Sequence, residues 1–240
     1  MCINCETLPV ARRDMLKFLA VGIATAGVAS LAAPAIAASA DTTPLTPDEA
    51  LAALKAGNQR YIDDPQLCTL KLAEQRQGLS GHQAPWATII GCADSRVPPE
   101  LVFGGHGLGE LFVARNAGNL VDTATMGTVE YGAAVLGSPL IVVLAHTNCG
   151  AVAAACKVVK DNATYPGSIG PMINPILPAA IAAQNEPGDY VNNAAMASAR
   201  RTAAQLTSAS SVISDIAASG NLKIVSAIYD LDSGLVSYLD

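Results

Sequence analysis

Leu140-Ile-Val-Val-Leu-Ala145 is a run of six apolar residues, and His146-Thr-Asn-Cys149 follows it without a gap. Two similar short apolar runs lie earlier in the 240-residue chain, at residues 86–90 and 111–114. Short runs that are apolar throughout predict strands of a parallel sheet, because helices cover both faces of such a sheet. The three runs therefore predict an α/β fold built around a mostly parallel sheet.

The segments between and after these runs predict helices. Thr46-Pro-Asp-Glu49 has the capping threonine, early proline and acidic third residue of a helix start, and this helix is expected to run through Tyr61. Further helices are expected at residues 70–77, 123–136, 150–159 and 190–218. Residues 162–188 contain five prolines, so we predict a long irregular excursion there.

The carboxyl-terminal segment predicts a hairpin. Residues 223–229 and 235–239 flank the turn sequence Asp232-Ser-Gly234. The full prediction is a mostly parallel central sheet of four strands plus an antiparallel edge strand, flanked by helices, with an N-terminal helical arm.

The first forty residues resemble an export signal. Arg12 and Arg13 form a twin-arginine pattern, residues 18–33 are apolar, and Ala38-Ser-Ala40 offers small residues for cleavage. We predict a twin-arginine signal peptide at residues 1–40, a single domain at residues 41–240, and a periplasmic or secreted protein without a stable membrane anchor after cleavage. An uncleaved anchor is the alternative.

Charge and cysteine content narrow the functional class. The formal net charge is −6 and no basic run occurs, which argues against binding to nucleic acid. The cysteines beyond the signal are Cys68, Cys92, Cys149 and Cys156. Disulfide pairing among them remains open at this point, because exported proteins enter oxidising compartments.

Two short segments carry the candidate chemistry. Cys92-Ala-Asp-Ser-Arg96 and His146-Thr-Asn-Cys149 each follow a predicted strand, and ligand sites in open α/β sheets lie beyond the carboxyl ends of strands. Two cysteines and one histidine form a three-ligand zinc set of the kind that catalytic sites use, with a fourth position for water or substrate. We therefore predict a catalytic zinc site in this α/β domain.

Four ordered segments resemble the β-class carbonic anhydrases. They are residues 54–61 (LKAGNQRY), residues 83–119, residues 146–152 (HTNCGAV) and residues 229–236 (YDLDSGLV). The resemblance spans nearly all of the chain after the signal. It implies reversible hydration of CO2 to bicarbonate and a proton, and a homodimer or higher even oligomer with the first helix packed on the partner.

The resemblance also assigns roles to residues. It implies that Cys92, His146 and Cys149 hold Zn²⁺, and that zinc-bound hydroxide attacks CO2. Two thiolates make zinc a weaker Lewis acid than three neutral histidines do. Asp94, oriented by Arg96, is expected to assist by accepting a hydrogen bond from the water on zinc.

Four more positions match the family's substrate pocket. The amide of Gln83 and the backbone N–H of Gly150 are expected to address bicarbonate oxygens, and the rings of Phe112 and Tyr131 to form an apolar slot for CO2. Core packing is the alternative for either ring taken alone.

Other family members bind zinc through the carboxylate at the position of Asp94, which closes the site. Some of these carry a tryptophan three residues before the first cysteine, where this chain has Ile89. We therefore expect an open site that bicarbonate does not inhibit. His106 is a possible proton shuttle or an inert loop residue, and Arg115 and Asn116 are expected to serve the structure or a dimer contact.

Three alternatives to CO2 hydration follow from the same residues. The scaffold is compatible with hydrolysis of CS2 or COS, since the same nucleophile would attack those molecules. A zinc-storing or thiol-redox protein would use Cys92 and Cys149 without hydratase activity. A bicarbonate or CO2 sensor would bind its ligand without needing Asp94 and Arg96 to activate water.

Overall fold

A five-stranded mixed sheet lies at the centre of the structure. The computed structural model describes residues 42–64 and 72–239, so the predictions for residues 1–40 and for Cys68 lie outside the described residues. The strands are β1 (Ala87–Cys92), β2 (Leu111–Asn116), β3 (Leu140–His146), β4 (Lys223–Tyr229) and β5 (Val236–Tyr238). The strand order is β2-β1-β3-β4-β5, with β5 antiparallel to β4 and the other pairs parallel, as predicted.

The pairing register brings the ends of the central strands together. All residues of β1 and β3 are buried, which explains why both strands are largely apolar. Gly91 pairs with Leu144, so Cys92 and His146 lie at the same carboxyl edge of the sheet. The register therefore joins two segments that are far apart in the chain.

Helices cover both faces of this sheet. The α-helices in the described part of the chain are α1 (Pro47–Asp63), α2 (Leu72–Gly78), α3 (Pro99–Val102), α4 (Thr123–Glu130), α5 (Gly150–Asp161), α6 (Ile169–Ile173), α7 (Leu177–Ala183), α8 (Tyr190–Ala209) and α9 (Ser211–Ala218). One face of the sheet contributes Ile90, Ile141 and Val143 to a core that includes residues of α5, α7, α8 and α9. The opposite face contributes Ile89 and Val142 to a second core with residues of α1 and α3. None of the described helices is long and apolar enough to cross a membrane.

Helix α1 begins at the predicted cap and packs on its own chain. The Thr46 side chain accepts from the N–H of Glu49, whose carboxylate accepts in turn from the N–H of Thr46. Buried Asn58 donates to the carbonyls of Val102 and Gly234, 2.9 and 2.8 Å away, and accepts from the N–H of Val236. The helix is thus tied to the carboxyl-terminal hairpin of the same chain. Its expected packing on a partner subunit stays a prediction.

Two predictions of secondary structure are wrong. Residues 162–188 contain α6, a 3₁₀ turn at Asn174–Ile176 and α7, rather than an irregular excursion. Pro175 and Pro178 occupy the first turns of such segments, where a missing N–H costs no hydrogen bond, so these prolines start helices here. The helix predicted at residues 190–218 is interrupted at Ser210, whose hydroxyl donates to Glu130 and caps α9.

Candidate metal centre and active site

The three predicted metal ligands converge at the carboxyl edge of the sheet. Cys92 ends β1, His146 ends β3, and Cys149 is the residue before α5. The two Sγ atoms are 3.9 Å apart, and the ligand atoms of all three residues lie within 4.8 Å of one another. Tetrahedral zinc with Zn–S bonds of about 2.3 Å requires a sulfur–sulfur distance of about 3.8 Å. The two thiols therefore have the separation that one zinc ion needs.

The hydrogen bonding of His146 leaves one ring nitrogen for a metal. Its Nδ1 lies 2.8 Å from the carbonyl oxygen of Thr147, and because a carbonyl only accepts, Nδ1 carries the proton. Nε2 then presents a lone pair, and this buried atom has no hydrogen-bond partner within the described part of the chain. Histidine ligands commonly donate their other N–H to a carbonyl in this way. The donor set fits zinc.

The surroundings of the two cysteines favour a single thiolate, at Cys92. A hydrogen bond from the Cys149 thiol lowers the pKa of Cys92 to about 4, while the proton shared with Cys92 raises the pKa of Cys149. The backbone N–H of Gly118 also donates to the Cys92 sulfur, at 3.4 Å. Without a cation the pair holds one proton between two sulfurs. A dication would allow both to ionise.

A carboxylate–guanidinium pair adjoins the ligands. Arg96 donates from Nε to Oδ1 of Asp94 at 2.9 Å and from Nη2 to Oδ2 at 2.7 Å. These hydrogen bonds hold the pKa of Asp94 well below its usual range. Oδ2 of Asp94 is also 3.8 Å from Nε2 of His146. An ionised carboxylate of fixed orientation therefore lies beside the metal position.

Comparison with known proteins agrees with this geometry. The family model described as carbonic anhydrase matches residues 87–236. The chain belongs to the β-carbonic anhydrase family. Carbonic anhydrase 2 of Mycobacterium tuberculosis is 38% identical over 188 residues, which are 78% of this chain and 90% of the relative.

Solved structures of the family share the fold. The β-carbonic anhydrase CafA of Aspergillus fumigatus is 26% identical with a TM-score of 0.64, over 79% of this chain and 90% of that one. One of two tetrameric β-carbonic anhydrases of Sordaria macrospora has a TM-score of 0.62 at 24% identity, over 79% of this chain and 94% of that one. The mixed sheet and its helices are thus those of β-carbonic anhydrases.

The four predicted substrate residues of this β-carbonic anhydrase are less closely grouped than its three metal ligands. The rings of Phe112 and Tyr131 are neighbours, with centroids 6.3 Å apart, and Tyr131 is 48% exposed. Gly150 is the first residue of α5, and the position of a Cβ on it meets open space. Gln83 is exposed and precedes β1. Within the described regions it makes no hydrogen bond to the metal-ligating residues Cys92, His146 and Cys149.

The other residues singled out in the sequence are packed within the fold or are free thiols. The side chain of His106 is 9% exposed, with Nδ1 2.8 Å from Glu110 and the ring edge-on to Trp86, which does not suit a proton shuttle to solvent. Ile89 is fully buried in the core beneath α1. Cys92, Cys149 and Cys156 are free thiols, so the disulfide alternative is not realised among them.

Residue-level interpretation missed the role of Gly118. Its φ of +88° is rarely adopted by other residues, and its N–H is directed at the Cys92 sulfur. The sequence signal for this role is a glycine two residues after the end of a strand. A single sequence does not distinguish a glycine that only forms a turn from one whose N–H binds a metal-ligating sulfur.

A surface groove of about 570 Å³ lies apart from these residues. None of its lining residues is a metal ligand or a predicted substrate residue. It is lined by Val121, Asp122, Thr123, Met126, Gly127, Glu130, Gln205 and Ala209.

Proposed function

We propose that this chain is a zinc-dependent enzyme for the reversible hydration of CO2 to bicarbonate and a proton. The observation that carries the proposal is the buried Nε2 of His146, which has no hydrogen-bond partner among residues 42–64 and 72–239. This atom is grouped with two thiols beside an Asp94–Arg96 pair. Family membership supports hydration of CO2 as the reaction. Cys92, His146 and Cys149 would hold the zinc.

The protein residues have separate roles in this reaction. Bound zinc would lower the pKa of a water molecule so that it attacks CO2 near neutral pH. Because two thiolates weaken that effect, Asp94 accepts a hydrogen bond from the attacking water and orients it. Arg96 holds both carboxylate oxygens, so Asp94 keeps one orientation and stays ionised.

The substrate would occupy the space at the carboxyl edge of the sheet. The rings of Phe112 and Tyr131 form an apolar surface suited to CO2. The N–H of Gly150, at the positive end of α5, suits a bicarbonate oxygen, and Gln83 would donate an amide hydrogen bond. These roles follow from the family pattern and the exposure of the residues.

Stopped-flow CO2 hydration tests the reaction and the role of Asp94. The zinc-loaded protein is expected to turn over, and Asp94→Asn to lose about 10²- to 10³-fold in kcat/KM. Asp48→Asn is the matched control, because Asp48 forms a 2.7 Å ion pair with Lys223 on the surface. Zinc-loaded parent protein that is inactive at every pH would overturn the proposal, and CS2 and COS would be assayed next.

Metal analysis tests the ligand set independently. Cys149→Ser is expected to lose stoichiometric zinc, whereas Cys156→Ser is expected to retain it. Both residues are buried thiols, so the two variants change core packing in a similar way. A difference in zinc content therefore reports loss of a metal ligand. Equal zinc content in the two variants would exclude Cys149 as a ligand.

We also propose that the zinc site is open at neutral pH. Both Asp94 oxygens accept hydrogen bonds from Arg96, so this carboxylate would not serve as a metal ligand and a water molecule could bind in its place. Ile89, in place of tryptophan, supports insensitivity to bicarbonate. Activity that is slow at neutral pH and rises sharply above about pH 8 would contradict an open site.

An even oligomer, at least a dimer, is proposed for the protein in solution. The Sordaria relatives are described as tetrameric, and β2 lies at the sheet edge with its residues partly or fully exposed. Native mass spectrometry would give the subunit number. A monomer at micromolar concentration would refute the proposal.

Export through the twin-arginine route is proposed from residues 1–40. Cell fractionation of the full chain is expected to show cleaved protein outside the cytoplasm. Replacing Arg12 and Arg13 together with lysine is expected to retain uncleaved protein inside. Unchanged export of that variant would refute this route.

A further inference from the structure

Arg115 binds the backbone of the turn that carries both Cys92 and Asp94. Its Nε donates to the carbonyl oxygen of Cys92 at 2.7 Å, and its Nη2 donates to the carbonyl oxygen of Asp94 at 2.6 Å. The next residue, Asn116, accepts from the N–H of Ala93 at 3.0 Å. Residues 92–94, which are the end of β1 and the start of the turn that follows it, are therefore bound to two consecutive residues of β2.

These contacts begin where the sheet ladder ends. Cys92 pairs with Asn116 in the last register position between β1 and β2, so regular strand pairing does not extend to Asp94. The guanidinium of Arg115 is planar and rigid, so its two N–H donors reach the two carbonyl oxygens with a fixed separation. A flexible side chain such as lysine would not fix that separation. The turn is therefore held by a side chain where backbone pairing stops.

The same turn directs two groups of different function. Cys92 points its sulfur to the ligand cluster, and Asp94 points its carboxylate to Arg96, with Oδ2 3.8 Å from Nε2 of His146. A small rotation of the turn would move both groups at once. Displacements of about 1 Å are enough to impair a reaction that depends on such placement.

We propose that Arg115 is a positioning residue, which sets the placement of Cys92 and Asp94 by binding the backbone carbonyl oxygens of these two residues. It acts through these residues and does not touch substrate. The inference rests on the proposed metal site. It differs from the earlier expectation that Arg115 serves general structure or a dimer contact.

The test compares Arg115→Met, Arg115→Lys and Arg200→Met in the cobalt-loaded and zinc-loaded protein. Arg200 is the matched control, because its Nε also donates to a backbone carbonyl, that of Leu239, at 3.1 Å. The readouts are the visible absorption spectrum of bound Co²⁺, zinc affinity by chelator competition, kcat/KM and melting temperature. Loss of a group that supports a ligand typically costs about 10- to 100-fold in metal affinity or activity.

Arg115→Met is expected to bind one Co²⁺ with a shifted spectrum and to lose about 10- to 100-fold in zinc affinity or kcat/KM. Arg115→Lys retains the charge but not the two-carbonyl contact, so its spectrum is also expected to be shifted. Arg200→Met is expected to match the parent in spectrum and affinity. If Arg115→Met does not fold, the lysine variant decides the test.

Two results would overturn the inference. The first is a parental cobalt spectrum and zinc affinity in Arg115→Met. The second is full recovery in Arg115→Lys, which would show that charge alone matters. A parent enzyme without CO2 turnover would refute the hydratase proposal, yet the cobalt spectra and affinities would still test Arg115.

Discussion

Replacing Gly118 with alanine is expected to destabilise the fold and weaken metal binding together. Gly118 is buried with a φ of +88°, and a Cβ on it would lie 2.9 Å from Cδ1 of Ile176. Ile176 is fully buried and has little room to move. The same glycine donates its N–H to the Cys92 sulfur, so backbone adjustment at this point reaches the metal site.

The expected magnitude has two parts. A residue with a Cβ at positive φ costs about 1–2 kcal/mol, and overpacking a filled core costs about 1–3 kcal/mol. The free energy of unfolding should therefore fall by roughly 2–5 kcal/mol. For a domain of this size that corresponds to a decrease in melting temperature of roughly 4–20 °C.

Two other glycines separate these contributions. Gly220 has a φ of +79° and no atom within 4 Å of its Cβ position, so Gly220→Ala should show conformational strain alone, about 1–2 kcal/mol. Gly127 lies in α4 with ordinary φ and nothing within 4 Å, so Gly127→Ala should stabilise by up to about 1 kcal/mol.

Urea unfolding of the zinc-free proteins and chelator competition for zinc would measure both effects. Unfolding free energies should rank Gly127→Ala above parent, then Gly220→Ala, then Gly118→Ala. Only Gly118→Ala should bind zinc more weakly. Equal losses for Gly118→Ala and Gly220→Ala, with parental zinc affinity in both, would refute the reasoning.

Three further predictions concern hydrogen bonds and charge. Asn58→Ala leaves three buried backbone groups unpaired and should cost roughly 3–5 kcal/mol in urea unfolding, whereas Asn193→Ala removes one exposed contact and should cost under about 1 kcal/mol. The hydrogen bond to His106 lowers the pKa of Glu110. The ionised Glu110 carboxylate therefore stabilises the fold fully above the pKa of glutamate in the unfolded chain, about 4.3, and this stabilisation is lost as pH falls through the lower pKa of the folded protein. The difference in unfolding free energy between parent and Glu110→Gln should accordingly shrink only in acid. Because the pKa of Cys92 is lowered to about 4, zinc-free protein should show thiolate absorption near 240 nm at about pH 6; absence of a difference from Cys92→Ser would contradict this.

The metal ligands were predictable because two local patterns coincide. Residues 140–145 are apolar on both strand faces, which indicates a buried parallel strand, and a strand that ends in His146 places that side chain at the sheet edge. The same reasoning placed Cys92 at that edge. The convergence itself depends on the register of β1 on β3, which the apolar runs do not specify. The family resemblance implied the ligand set, and the structure provides the register that joins it.

The helix boundaries show where local patterns are insufficient. Nothing in the periodicity of residues 190–218 marks a break, yet Ser210 leaves the helical conformation and donates to Glu130, which is 80 positions away. The prolines of residues 162–188 predict an irregular excursion, but a proline in a first turn starts a helix. Which role a proline takes depends on what the segment packs against.

The sequence by itself determined the class of sheet, the capped start of α1, the final hairpin and the chemical identity of the ligands. Each depends on residues that are neighbours in the chain, because periodicity, capping and turn formation act over a few residues. Only the tertiary structure decided that Arg115 binds the turn of Cys92 and Asp94, that Gly118 donates to the Cys92 sulfur, and that His106 is buried against Trp86. These contacts join residues 20 or more positions apart, and their geometry is set by how strands and helices pack, which no local pattern encodes.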